Sequence, residues 1–345
     1  MTREIVIPKP IDFHCHFRFG WIMSIVAQYI TRRFRGAVAI TNLEKPIDTG
    51  PEAIAYGETV KLACGSGFEV IPAMMLTANT TPVIIREARQ LGIRVLKGIP
   101  KGTSSNSGTS VMLRELTNYY PSLEAAEKTG MVFSYHWELL FDADDKEIPE
   151  LEREARAIPF LENVVQTFPG LIIMIPHAST KEMIDFADCC PPNVFCELTV
   201  HHAHTTYDDV CDTTGKIINP HKYCKPIAKR LPDVLAVRKA MTSGKPRFGA
   251  GTDNAPWPAE DKEQKYPPPT GIFNPFALEM YCETFEECEA LDRLPGFLTA
   301  LEKAYGLPPS KETIRLVREE WVEPISCGGI VPYGAREKRY WKVAT

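Results

Sequence analysis

The sequence predicts an α/β protein: a (β/α)8 barrel of the TIM type with a C-terminal helical cap. Three observations predict it. Eight short, β-branched apolar runs alternate with longer stretches of helix-like spacing, each closed by Gly or Pro. They spread over roughly 250 residues, the size of a closed eight-stranded barrel. The first strand-to-helix turn, His14-Cys-His-Phe-Arg-Phe-Gly20, holds no GxGxxG loop, which argues against a doubly wound dinucleotide-binding sheet.

The predicted strands are 4–16, 37–42, 69–76, 93–97, 132–136, 171–177, 194–201 and 247–253, with helices between them at 52–63, 82–91, 112–117, 150–167, 181–187 and 232–242. Such alternation implies a parallel sheet with crossover helices. A Pro-rich loop over 256–275 leads to helices around 276–294, 296–305 and 311–319, which cap the same domain. The chain is therefore expected to be one domain, with about 1–256 as barrel core and about 257–345 as loop and C-terminal helices. It contains no internal repeat, low-complexity tract or long linker.

At 345 residues and 44% hydrophobic, the chain can fill a substantial core, which excludes a disordered protein. Its 39 Lys+Arg against 44 Asp+Glu give a mixed net charge of −5, a poor match for nucleic acid or an anionic membrane. No apolar run reaches the ~18 residues of a spanning helix, and the opening Met-Thr-Arg-Glu has no basic segment leading into an apolar one, so a cytoplasmic protein is expected. Ten scattered cysteines without a CxxC pair read as reduced thiols, most of them small buried hydrophobes.

A (β/α)8 barrel builds its chemistry at the carboxyl ends of its strands. Here those ends are unusual: His14-Cys15-His16, Asn42, Lys97, His136, His177 and Asp253. His14 and His16, two apart on a strand, leave on one side and can converge on one ion. Of eight histidines, four fall at three strand ends that a barrel would gather, and Asp253 adds a carboxylate. Nitrogen and carboxylate donors of this kind suit Zn²⁺ or a similar divalent ion. Lys97, ending a strand among imidazoles and cations, must lose its proton or be chemically modified, unless it reaches solvent as Lys101 does.

These segments resemble the amidohydrolase superfamily, and within it the short, binuclear-metal, single-domain dihydroorotases. The resemblance spans nearly the whole chain. It rests on Asp12-Phe-His-Cys-His-Phe-Arg18, Asn42, Lys97 with Pro100 and the Ser104-Ser105-Asn106-Ser107 loop, His136-Trp-Glu138, His177, Leu198-Thr-Val-His-His202, Pro220-His-Lys-Tyr-Cys-Lys-Pro226 and Gly251-Thr-Asp-Asn-Ala-Pro256.

The resemblance implies two divalent ions, zinc by preference, and N-carboxylation of Lys97 by CO₂, which turns an ammonium into a bridging ligand. His14, His16 and Asp253 would hold one ion and His136 and His177 the other, with a hydroxide shared between them. It further implies opening or closing of a cyclic amide that bears a carboxylate, dihydroorotate to N-carbamoyl-aspartate, with Asp253 as ligand and general acid/base. Arg18 and Asn42 would grip the ring carboxylate, Lys225 and Gly271 would approach the substrate largely through backbone, and a homodimer is expected by analogy. The partner is a small cyclic amide, with neither nucleic acid nor membrane involved.

Three departures from the family's pattern bear on the substrate. Trp257 stands where the family places a histidine that also holds the carboxylate, Trp137 stands where it places glycine, and the mobile loop carries Ser104 and Ser105 in place of paired threonines. The two indoles either line a tighter, more apolar mouth or pack beneath the barrel rim. A related cyclic imide or lactone hydrolase with a different ring is thus an alternative. Phosphotriesterase-like hydrolysis is another, which would need neither Arg18 nor Asn42; a non-catalytic assembly role is disfavoured by the complete ligand set. His201 and His202 are expected outside the metal shell, His204 and His221 as structural or substrate-side groups, and Glu138 as an orienting residue.

Overall fold

A computed structural model describes residues 4–108 and 110–344. After β1 (Glu4–Pro8) come eight strands: β2 (Ile11–Cys15), β3 (Gly36–Ala39), β4 (Glu69–Met75), β5 (Val95–Gly98), β6 (Val132–Tyr135), β7 (Ile172–Ile175), β8 (Val194–Leu198) and β9 (Phe248–Ala250). They pair in sequence order, every neighbour parallel. The ring is completed just past β9, where the His16 amide donates to Asn254 O at 2.7 Å and Cys15 bridges Asn254. This is the predicted (β/α)8 architecture, with helices such as Gly50–Cys64, Pro82–Gln90, Arg153–Thr167, Lys181–Cys189 and Leu231–Met241 between the strands.

Local chemistry starts the helices. The Thr81 and Thr180 hydroxyls each accept from the amide three residues on, Ile84 and Met183, both at 3.3 Å. Pro82 takes the first helical position, where a missing N–H leaves nothing unpaired. Inside the barrel, Ile11, Phe13, Val38, Ile71, Val95, Val132 and Met174 form a cluster. Leu301 and Tyr305 plug it from the amino ends of the strands, where Arg94 and Arg35 donate to Tyr305 O and Pro308 O at 3.0 and 2.9 Å. Gly249 makes room for the plug, since a Cβ there would lie 2.5 Å from Leu301 Cγ.

The tail departs from the predicted all-helical cap. Helices Ala277–Glu287 and Leu294–Thr299 are present, but 311–319 is not helical; it falls largely in β10 (Thr313–Val322), paired antiparallel with β1 and with β11 (Lys338–Val343). Ile314 and Leu316 alternate with exposed residues in a period of two, a pattern that the charged residues nearby obscure. The predicted first strand is likewise two, split at Lys9-Pro10, with β1 and β2 in different sheets. The stretch 112–117 enters a 3-10 turn, Leu113–Tyr119, ahead of a helix at Tyr120–Thr129. Helix Trp21–Ile30, unassigned from sequence, hides in a run that is apolar on most sides. Among the described residues no helix is long and apolar enough to cross a membrane, and none of the ten cysteines is in a disulfide.

Candidate active site

One pocket at the carboxyl ends of the strands is lined by His14, His16, Lys97, His136, His177 and Asp253, and also by Arg18, Asn42, Ser104, Lys225 and Gly271. Phe13 faces the barrel interior while the next residue, His14, reaches the pocket. The pairing register shifts between Asp12 and Cys15, the local irregularity that lets adjacent residues both turn inward.

The donors form two groups. His14 Nε2 and His16 Nε2 lie 3.4 and 3.3 Å from Asp253 Oδ1. His136 Nδ1 lies 3.2 Å from His177 Nε2. In each group one ring is fixed from behind: Glu197 Oε2 is 2.8 Å from His14 Nδ1, and Glu138 Oε2 is 2.6 Å from His136 Nε2. Such outer partners settle which ring nitrogen faces inward. Burial pulls the His14 and His177 imidazoles well below their ordinary pKa and lowers His16 too, so all three remain neutral, the form with a free lone pair. For Glu138, burial opposes ionisation, but the His136 hydrogen bond and the nearby Lys229 and Lys225 charges bring it to about 2.

Lys97 lies close enough to His14, His16 and His177 for its charge to weigh on each. The side chain is buried, its ammonium nitrogen only 3.4 Å from Ser134 Oγ, with no carboxylate in hydrogen-bonding reach among the described residues. Burial lowers its pKa to about 8. Inward-facing imidazoles, one carboxylate and an amine whose pKa is lowered by burial make a donor set that fits divalent ions.

The backbone is strained at this place. Arg18, His177 and Asp253 have φ of 61°, 43° and 49°, the left-handed region that residues with a Cβ avoid. Asp12 anchors the Asp253 turn, accepting from Thr252 N at 2.9 Å, Thr252 Oγ1 at 2.6 Å and His14 N at 3.1 Å.

In the same pocket, Arg18 is 8% exposed with no acidic partner among the described residues; its Nε is unpaired and NH1 makes only a 3.5 Å contact to Asn42 O. Asn42 donates to Ser105 O at 3.3 Å and leaves Oδ1 unpaired. Ser104 and Ser105 hydroxyls lie 3.1 and 3.2 Å from Thr270 Oγ1, a pocket residue the sequence reading did not single out. Ser105 itself stands behind the lining. Gly271, at φ 133°, could not carry a side chain, because a Cβ would meet Ala255 O at 2.3 Å. The Lys225 ammonium is paired with Glu150.

The two indoles part company. Trp137 is buried against Phe133 and Tyr135, beneath the rim and outside the lining. Trp257, only partly buried, faces the Arg18 guanidinium. His201, His202 and Cys224 form a second cluster of possible donors. Both His202 nitrogens are engaged there, by Thr199 Oγ1 at 2.7 Å and Pro226 O at 3.0 Å, so no lone pair is left for an ion. His204 is held by Thr284 and Arg238, and His221 by Glu263. Glu197 escaped the sequence reading, although an acid inside the apolar strand Val-Phe-Cys-Glu-Leu was itself a signal: burying a charge without a partner is costly.

No family model matches the chain. It is 34% identical to the dihydroorotase of Teredinibacter turnerae over 354 residues, covering 99% of both chains, and 35% identical to that of Pseudomonas putida strain F1 over 352 residues, again 99% of both. Among solved structures it superposes on the Saccharomyces cerevisiae dihydroorotase in complex with 5-fluoroorotic acid with a TM-score of 0.92 at 30% identity, covering 99% and 98%. The Campylobacter jejuni dihydroorotase gives 0.88 at 26% identity, covering 100% and 98%. A D-hydantoinase at 16% identity shares the fold, with a TM-score of 0.74 over 99% of this chain and 83% of that one. Similarity that runs from end to end in both chains, at about a third of positions, identifies this chain as a member of the dihydroorotase family of cyclic amidohydrolases.

Proposed function

We propose that this enzyme interconverts dihydroorotate and N-carbamoyl-aspartate, a cyclic amide that carries a carboxylate and its ring-opened form. The observation that carries the substrate is Arg18. A guanidinium that is 8% exposed and, among the described residues, lacks an acidic partner is costly to bury, and an anionic ligand would offset that cost. Asn42, beside it in the lining, completes the clamp through Nδ2, which donates one N–H to Ser105 O at 3.3 Å and has a second to offer a carboxylate.

The reacting end lies among the imidazoles. His14, His16 and Asp253 would hold one divalent ion, zinc by its donors, and His136 and His177 a second, with Lys97 as a carbamate between them. Bound there, such a pair supplies a water of lowered pKa and polarises a carbonyl. The chain's own groups do the rest. Arg18 and Asn42 fix the ring by its carboxylate, so that the amide carbonyl faces Asp253. Asp253 takes the proton of the attacking water and delivers it to the departing ring nitrogen. Glu197 and Glu138 hold the His14 and His136 rings in place while that proton moves. Ser104, which lines the pocket and is tied to Thr270, covers the ring, and Ser105 braces Thr270 from behind.

The test is turnover by the metal-loaded enzyme of dihydroorotate against its neutral counterpart dihydrouracil and a panel of cyclic imides and lactones. Dihydroorotate is expected to be the preferred substrate. Two bound ions with no turnover of dihydroorotate would reject this substrate and leave the metal chemistry standing.

A further inference from the structure

We propose that Trp257 is a positioning residue that aims the Arg18 guanidinium and thereby sets how strongly the site prefers a ring with a carboxylate over one without. The proposal rests on the reading of Arg18 as the carboxylate's partner. Arg18 sits in a left-handed turn at φ 61°, with an unpaired Nε and one long hydrogen bond at 3.5 Å. Little in its hydrogen bonding fixes where the fork points. What does face it is the Trp257 ring, whose centroid is 4.9 Å from Arg18 Cζ. In a desolvated setting a cation over an indole is held electrostatically by the ring's negative face.

The indole is itself held. Its Nε1 donates to Thr270 O at 2.9 Å, and the Thr270 hydroxyl and amide bind Ser104 and Ser105. With Nε1 already used, Trp257 brings no polar atom of its own to a ligand, and it lies outside the pocket lining. Its influence therefore passes through Arg18: the guanidinium is held over the indole ring, and N–H groups such as the unpaired Nε are left for hydrogen bonds to a carboxylate.

The experiment compares metal-loaded wild type with Trp257→Phe and Trp257→Leu, measuring binding of orotate and of uracil by calorimetry and KM and kcat for dihydroorotate. Phenylalanine keeps an aromatic face; leucine keeps apolar bulk without one. Expected for Trp257→Leu is a loss of orotate affinity of about tenfold to thirtyfold, a matching rise in KM, little change in kcat and a much smaller effect on uracil. Trp257→Phe should retain most of the wild-type preference. Equal behaviour of the Phe and Leu variants, or equal weakening of orotate and uracil, overturns the proposal. If wild type itself binds orotate no better than uracil, the carboxylate reading of Arg18 fails first. A wild-type preference that survives in Trp257→Leu removes the role of Trp257 alone.

Discussion

Glu197 Oε2 lies 2.8 Å from His14 Nδ1, both side chains buried, so an acid from β8 directs a ring from the end of β2. The contact joins strands 183 residues apart in sequence. It fixes the tautomer and orientation with which Nε2 faces Asp253.

Glu197→Gln should therefore weaken divalent-ion binding by about 10- to 100-fold while leaving the fold intact. Competition with a chelator reads this directly. Wild-type ion affinity in that variant would show that His14 needs no such support.

Lys97→Ala should lose most bound metal and nearly all activity, with short carboxylic acids restoring part of both by standing in for the proposed carbamate. Metal content by elemental analysis, with and without acetate or propionate, decides the matter. Unchanged stoichiometry would contradict a lysine ligand.

Arg18→Ala would remove the proposed charge-assisted contact, worth about 1.5–3 kcal/mol, so KM for dihydroorotate should rise roughly 10- to 100-fold with a smaller change in kcat. Steady-state kinetics check it. A fall in kcat at constant KM would place Arg18 in the chemical step instead of in substrate binding.

Acid should destabilise the fold through its buried rings. Burial lowers His202 to about 4 despite the hydrogen bond to Pro226 O, whereas in the unfolded chain a histidine titrates near 6.5. Above pH 6.5 both states are neutral and the effect vanishes. Below it the unfolded chain binds the extra proton, so stability falls as pH drops toward 4, by on the order of 1 kcal/mol per pH unit. Urea midpoints should hold above about pH 6.5 and decline from there toward pH 5; a flat profile would mean these rings are not held neutral.

Trp137→Ala should cost about 3–5 kcal/mol of stability, the usual price of emptying a large aromatic site, because the ring packs against Phe133 and Tyr135. Denaturant unfolding measures it. A stable variant with altered substrate preference would return this indole to the pocket mouth.

Much of this was legible in the sequence because its signals were local. Lys97, His136 and His177 close apolar runs, and a barrel places run ends together, so position along the chain translated into position in the site. Glu197 and Thr270 were harder. Their partners, His14 and Ser104, lie 183 and 166 residues away, and no periodicity links them. Trp137 and Trp257 were ambiguous for a related reason: an indole near a strand end can face the axis or the helices, and neighbouring rings decide which. The tail was misassigned where the charges around Ile314 and Leu316 masked an alternation of two.

The β1–β10–β11 sheet bears on how the protein can be made. Glu4 pairs with Val317 and Pro8 with Thr313, so β1 is synthesised more than 300 residues ahead of the strand that covers its edge. Until then, a row of open amides and carbonyls lies immediately upstream of His14 and His16. Nascent chains that stall late, or products clipped near residue 312, would carry every imidazole of the pocket and still leave that edge free to pair with a neighbour, a hazard for solubility more than for chemistry.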